Sequence, residues 1–261
     1  MSRTSAVASR ALRLGTVLLL LSGCGNTVKF PTADRDHPGS VSAHFARPTG
    51  TGPFPAVVLL HGGTGVEPNH LQWSSWLADH GYVAVVVDSF RSAAAPTVTT
   101  MAGDAKGALA YLRSLPFVDG ERVAVMGFSR GGAAALATVT QVRGAPPGSR
   151  SFRAGVVFYP PGCSYRIERA EAPVLLLLGQ LDGGSESCVD MSRRLQARDQ
   201  PQVVAIVYPN AHHAFDDARA TSPVPGQGAE RVMTVQYNAL ATADARTRVD
   251  TFLADHLRGT R

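Results

Sequence analysis

An open, doubly wound, mostly parallel α/β sheet flanked by helices is the fold class that this chain predicts, on three observations. Short apolar runs recur at residues 56–60, 83–87, 123–126, 156–159, 174–178 and 203–207, bounded by Gly, Pro, Asp or Asn. They do not alternate with polar residues, as expected of strands covered on both faces in a parallel sheet. Helical patterns fill the intervals at 70–80, 101–114, 131–142 and 189–197, with a last one at 244–257. Regular alternation of strand and helix at these lengths is the signature of the doubly wound arrangement.

Each further element follows from local chemistry. Residues 41–46 read as a weaker strand, pairing antiparallel at one sheet edge, before the Pro/Gly-rich turn R-P-T-G-T-G-P-F-P. Trp73 and Trp76, three apart with Leu77 following, have the spacing of helix-core packing and need no cofactor. Irregular stretches at 92–100 and 217–228 are expected to wall a cleft, because ligands in such sheets bind beyond the C-terminal strand ends.

The 261 residues are 44% hydrophobic and 17% charged, enough for one sizeable core. No linker, repeat or low-complexity tract divides them, so residues 41–261 are read as one domain. The N-terminus is separate. Arg3, Arg10 and Arg13 precede an apolar run ending V-L-L-L-L and then S-G-C-G, the order of a secretory signal peptide over residues 1–23. The apolar part is too short to span a bilayer, which takes roughly 20 residues. The tetrapeptide L-S-G-C resembles the lipobox of bacterial lipoproteins, which implies lipidation of Cys24 and anchoring in the cell envelope. Gly25 is not the Asp that resembles an inner-membrane retention signal, so the outer membrane, facing the periplasm, is the expected location. Residues 24–40, largely polar with two prolines, are read as a tether.

Removal of the leader, which holds three Arg and no acid, lowers the formal charge from +5 to +2. No basic stripe remains along any helix, and nucleic acid is not an expected partner. Oligomeric state is left open. Cys163 and Cys188 remain as an even pair in an exported chain, which suggests a disulfide near one sheet edge, with two buried free thiols as the alternative.

The run V-A-V-M-G-F-S-R-G-G, residues 123–132, carries the chemistry. A serine in G-x-S-x-G between a strand and a helix forms a nucleophile elbow, with Ser129 lifted above the sheet edge. A serine hydroxyl needs a base within hydrogen-bond reach, itself oriented by a third group. Downstream, the strand at 174–178 ends in G-Q-L-D-G-G and places Asp182 past its C-terminal end. The strand at 203–207 ends in Y-P-N-A-H-H-A-F and places His212 and His213 in the next loop. Glu186, four residues deeper, is the fallback acid, with a charged helix start as its plainer reading. Upstream, H-G-G-T-G after residues 56–60 is the turn that supplies an oxyanion N–H, assigned to Gly63 with Thr64 as runner-up, beside the N–H of Arg130. His61 reads as a structural turn residue. Asp88 with Arg91, and Asp119 with Arg122, read as surface or loop ion pairs. No metal is expected at H-H-A-F-D-D, where adjacent side chains seldom converge on one ion, and no cofactor is implied.

These segments together resemble the dienelactone hydrolase family of α/β-hydrolases. The resemblance runs from about Val41 to Leu257, through G-P-F-P-A-V-V-L-L-H-G-G, G-F-S-R-G-G, L-L-G-Q-L-D, H-H-A-F and Y-N-A-L-A-T-A-D-A. It implies Ser129, His213 and Asp182 as nucleophile, base and acid, with His212 turned toward solvent. Enzymes named for dienelactone hydrolysis carry cysteine as nucleophile. Serine at 129 points instead to broader esterase chemistry on small ester or lactone substrates, with a serine peptidase or acyltransferase on the same triad, or a non-catalytic envelope lipoprotein on a hydrolase scaffold, as alternatives. The Y-P-P-G-C and S-C segments resemble exported members that pair these cysteines.

Overall fold

The computed structural model describes residues 26–92, 94–144, 152–200, 202–225 and 232–258. The expected leader and Cys24 lie outside them. Strands β1 (Asn26–Pro31), β2 (Ser40–Ala46) and β3 (Phe54–Leu60) precede helix α1 (Pro68–Asp79). Then come β4 (Val83–Asp88), α2 (Val98–Arg113), β5 (Val118–Phe128) and α3 (Arg130–Val139). A short β6 (Thr140–Val142) leads to β7 (Ala154–Phe158), β8 (Ile167–Ala170), β9 (Val174–Gly179) and α4 (Ser185–Gln196). The chain ends with β10 (Val203–Tyr208), β11 (Thr221–Pro225), β12 (Val232–Gln236) and α5 (Ala239–Leu257).

Eight strands form one sheet in the order β1-β2-β4-β3-β5-β7-β9-β10. The six from β4 to β10 are parallel, and β2 runs antiparallel to both β1 and β4. The apolar runs are strands because both faces are covered. Ala56, Val58 and Leu60 of β3 face a core shared with α2, α3 and α4, whereas Val57 and Leu59 face Trp73 and Leu77 of α1 and the buried side of α5. Trp73 is buried as its spacing predicts.

Three differences from the sequence reading have physical causes. Residues 26–40 are not simply a tether: β1 caps the sheet outside β2, so β2 pairs antiparallel but is not the edge. The chain after β1 packs so closely on α2 that a Cβ at Gly103 would stand 2.7 Å from the Asp34 side chain. Arg91 does not pair with Asp88. It reaches Asp104 at 3.4 Å and Asp34 at 3.9 Å, joining this N-terminal segment to the loop after β4. Arg122 does pair with Asp119, at 2.7 Å. Two small ribbons, β6 with β8 and β11 with β12, lie outside the main sheet. Their strands are too short or too polar to stand out as apolar runs.

From β3 the chain steps to β4 on one side and later returns to β5 on the other. The order therefore reverses between β3 and β5, and beyond the C-terminal strand ends at such a point is where open α/β sheets bind their ligands.

Candidate active site

Ser129 occupies that reversal point. It follows β5 directly with φ 54° and ψ −118°, a conformation that side-chain-bearing residues rarely adopt. Its N–H donates to the Phe158 carbonyl (3.0 Å), and its carbonyl accepts the first helical bond of α3 from Ala133 (3.0 Å). The flanking glycines are required by space. A Cβ on Gly127 would collide with the Gly131 backbone, one on Gly131 with the Leu60 and His61 carbonyls, and one on Gly132 would stand 2.8 Å from the Phe158 oxygen.

Asp182 follows β9 and His213 follows β10, and the two loops are stitched together. Leu181 N–H donates to the Ala211 carbonyl (2.9 Å), and Gln180 N–H to that of Tyr208 (3.0 Å). A Cβ at Gly179 would stand 2.6 Å from the Ala211 oxygen, so only glycine allows this approach. The His213 loop is also tied to the start of α5. Asn238, the N-cap, donates its N–H to the Phe215 carbonyl (2.9 Å), and the Thr242 hydroxyl donates to the same oxygen (2.9 Å). The H-A-F and Y-N-A-L-A-T segments are thus one hydrogen-bonded assembly.

These loops bring the three expected residues into line. His213 Nδ1 lies 2.8 Å from Asp182 Oδ2, and its Nε2 lies 2.9 Å from Ser129 Oγ. The imidazole and carboxylate are nearly buried, 4% and 7% exposed, so water does not compete for their hydrogen bond. With the proton on Nδ1, His213 donates to the carboxylate and accepts at Nε2 from the serine hydroxyl. That arrangement can draw a proton from Ser129 and return it to a leaving group.

His212 is half-buried with its Nδ1 shielded, rather than turned to solvent. Glu186 lies in the first turn of α4. His61 is fully buried beneath the Gly-rich turn: Nδ1–H donates to the Gly62 carbonyl (2.7 Å), and Nε2 accepts from Ser89 N–H (3.1 Å). Burial holds its pKa below the usual histidine value, which suits this neutral tautomer. Gly63 and Thr64 form the tip of a turn closed by a Gly62–Gly65 bridge, and a Cβ at Gly62 would stand 3.6 Å from that of Ser129. Arg130 is the first residue of α3, where a backbone N–H has no intrahelical acceptor. Its guanidinium donates to the Pro96 carbonyl (3.4 Å) in the 92–100 loop. Cys163 and Cys188 are disulfide-bonded, joining the loop after β7 to α4. Among the described residues no cluster of His, Cys, Asp or Glu could hold a metal ion.

The sequence reading missed a second polar group beside His213. The Tyr159 ring lies 4.7 Å from the imidazole, centroid to centroid, and its hydroxyl donates to Asp216 Oδ1. Trp73 Nε1–H and Asn69 Nδ2–H donate to Asp216 Oδ2 at 2.8 and 3.4 Å. The available signal was Asp216 itself, an acid directly after the apolar A-F that follows the histidine.

Comparison with known proteins places this geometry. No protein of curated function matches the chain. Among solved structures, a dienelactone hydrolase-like promiscuous phosphotriesterase from metagenomic libraries is 24% identical, with TM-score 0.68 over 90% of this chain and 99% of that one. A thermophilic esterase from Thermogutta terrifontis, solved with propionate bound, is 17% identical, with TM-score 0.67 over 89% and 96%. The same organism's esterase 2, phosphorylated by paraoxon, is 16% identical, with TM-score 0.64 over 88% and 95%. At these identities the likeness establishes the α/β-hydrolase fold. The family model for dienelactone hydrolases matches residues 41–257, and the chain belongs to the dienelactone hydrolase family, whose members are hydrolases of ester bonds.

Proposed function

We propose that this protein is a serine carboxylic-ester hydrolase acting on small ester or lactone substrates through an acyl-enzyme. The carrying observation is the unbroken line from Asp182 Oδ2 through His213 to Ser129 Oγ, with steps of 2.8 and 2.9 Å. Ser129 Oγ attacks the carbonyl carbon as His213 Nε2 takes its proton. The N–H groups of Gly63 and Arg130 receive the oxyanion, and collapse expels the alcohol, which takes the proton from His213. Water then enters, gives its proton to His213 and attacks the acyl carbon. The acid leaves as Ser129 regains the proton. Asp182 keeps the imidazole in the required tautomer. The paraoxon-phosphorylated relative supports an organophosphate probe. A fluorophosphonate should label Ser129 stoichiometrically, and p-nitrophenyl esters of graded chain length should be cleaved. Labelling elsewhere, with no hydrolysis of the series, would overturn the proposal.

The proposal includes export and a lipid anchor at Cys24. β1 begins at Asn26 and runs parallel to the six central strands, so it starts at the sheet edge opposite Ser129. A lipid two residues earlier would hold that edge to the membrane and turn the cleft away from it. This orientation suits soluble esters rather than lipids of the same bilayer.

A further inference from the structure

We propose that Asp216, acting through Tyr159, is a positioning residue for His213; this rests on the ester-hydrolase reading above. Asp216 is 5% exposed and lies three residues beyond His213, on the same loop. Burying a carboxylate is costly unless it is fully hydrogen-bonded, and an apolar side chain would fill the space at lower cost. Here the carboxylate is met by donors from two other elements, Asn69 and Trp73 of α1 and Tyr159 after β7. It pins the histidine loop to both. Tyr159 holds a left-handed backbone, φ 34°, with its N–H donating to the Leu177 carbonyl at 2.9 Å. The ring is thereby set against the imidazole while Asp216 fixes its hydroxyl end. His213 must reach Asp182 and Ser129 at once, which leaves little freedom in its ring plane, and Tyr159 walls that plane.

Burial pushes the Asp216 carboxyl up, and the Tyr159, Trp73 and Asn69 donors offset part of that cost, so each donor is held to the carboxylate as firmly as the carboxylate is held to the loop.

Tyr159→Phe and Asp216→Asn in the full-length protein test this, with kcat and KM for p-nitrophenyl acetate measured from pH 5 to 9. Tyr159→Phe removes only a hydroxyl and should fold. Its kcat should fall about tenfold with KM changed less than about twofold. Asp216→Asn, which loosens the hold on the Tyr159 hydroxyl, should likewise lower kcat about tenfold with KM changed less than about twofold. A parent enzyme that cleaves the ester, with folded variants matching it in kcat, would overturn this inference alone. A parent unable to cleave any p-nitrophenyl ester would overturn the ester-hydrolase reading and this inference with it. Should Asp216→Asn fail to fold, wild-type kcat in Tyr159→Phe would still overturn the inference.

Discussion

Gly131 of the nucleophile elbow packs directly against the carbonyl of His61, at the root of the Gly-rich turn, and a Cβ there would collide with it. The obstacle is backbone on both sides, so it cannot be relieved by a rotamer change. Gly131→Ala should destabilise the protein by more than about 3 kcal/mol in urea unfolding. Gly183, beside Asp182, has open space around its Cβ position. Gly183→Ala should remain within about 0.5 kcal/mol of the parent. Equal effects at the two sites would contradict the close approach at Gly131.

Ser129→Ala and His213→Ala should each lower kcat by about 10³-fold or more, and the double variant should lose little beyond either single one, since nucleophile and base act as one unit. Asp182→Asn should cost somewhat less, because it misorients the imidazole without deleting it. His212→Ala should keep most activity, since His213 makes both contacts. Steady-state kinetics of the five variants decide this, and multiplicative losses in the double variant would refute a shared proton path.

Stability should fall on mild acidification. Burial pushes the imidazole of His70 down to about 3, and its Nδ1 accepts from Glu67 N–H at 2.8 Å. The unfolded chain takes up this proton near the ordinary histidine pKa of about 6.5, while the folded form excludes it. The contribution is complete above that value and is lost as pH falls toward 3. At pH 5 this amounts to about 2 kcal/mol relative to neutral pH. His61, lowered for the same reason, acts in the same direction. Urea midpoints at pH 7.5 and 5 should show the loss, and His70→Gln should flatten it. An unchanged slope in that variant would exclude His70 as a source.

The bridge between Cys163 and Cys188 spans a sequence separation of 25. By loop entropy it should contribute about 3 kcal/mol. Replacing both cysteines with serine should lower Tm by about 5–10 °C. Mass spectrometry of non-reduced peptides should find the linked pair in protein from the cell envelope, and two free thiols there would refute it.

The anchor is tested by Cys24→Ser, which should release active enzyme from the membrane fraction. Stable attachment takes more than one acyl chain, and this substitution removes the proposed site of lipidation. Protein that stays in the membrane fraction after a salt wash would rule the anchor out.

Much of this molecule was legible along the chain because local rules decide it. Strands such as Val83–Asp88 and Val174–Gly179 are apolar on both faces, and only a sheet covered on both sides accommodates that. The glycines around Ser129 announce a turn that nothing larger could make, and Ser129, Asp182 and His213 each lie past the C-terminal end of a strand, β5, β9 and β10 in turn. The edge strand β1 escaped notice because N-T-V-K-F-P buries only one face, with Phe30 packed inward. Which of two adjacent histidines meets Ser129 depends on the path of one loop, set by hydrogen bonds from α5 and β9. Arg91 turned from its near neighbour Asp88 to Asp34 and Asp104, and Tyr159 met Asp216, 57 residues away. Conformation and burial pattern act between near neighbours and can be read from composition. The pairing of buried polar groups is decided only when distant elements are laid side by side, and here that is where the fine positioning of the site resides.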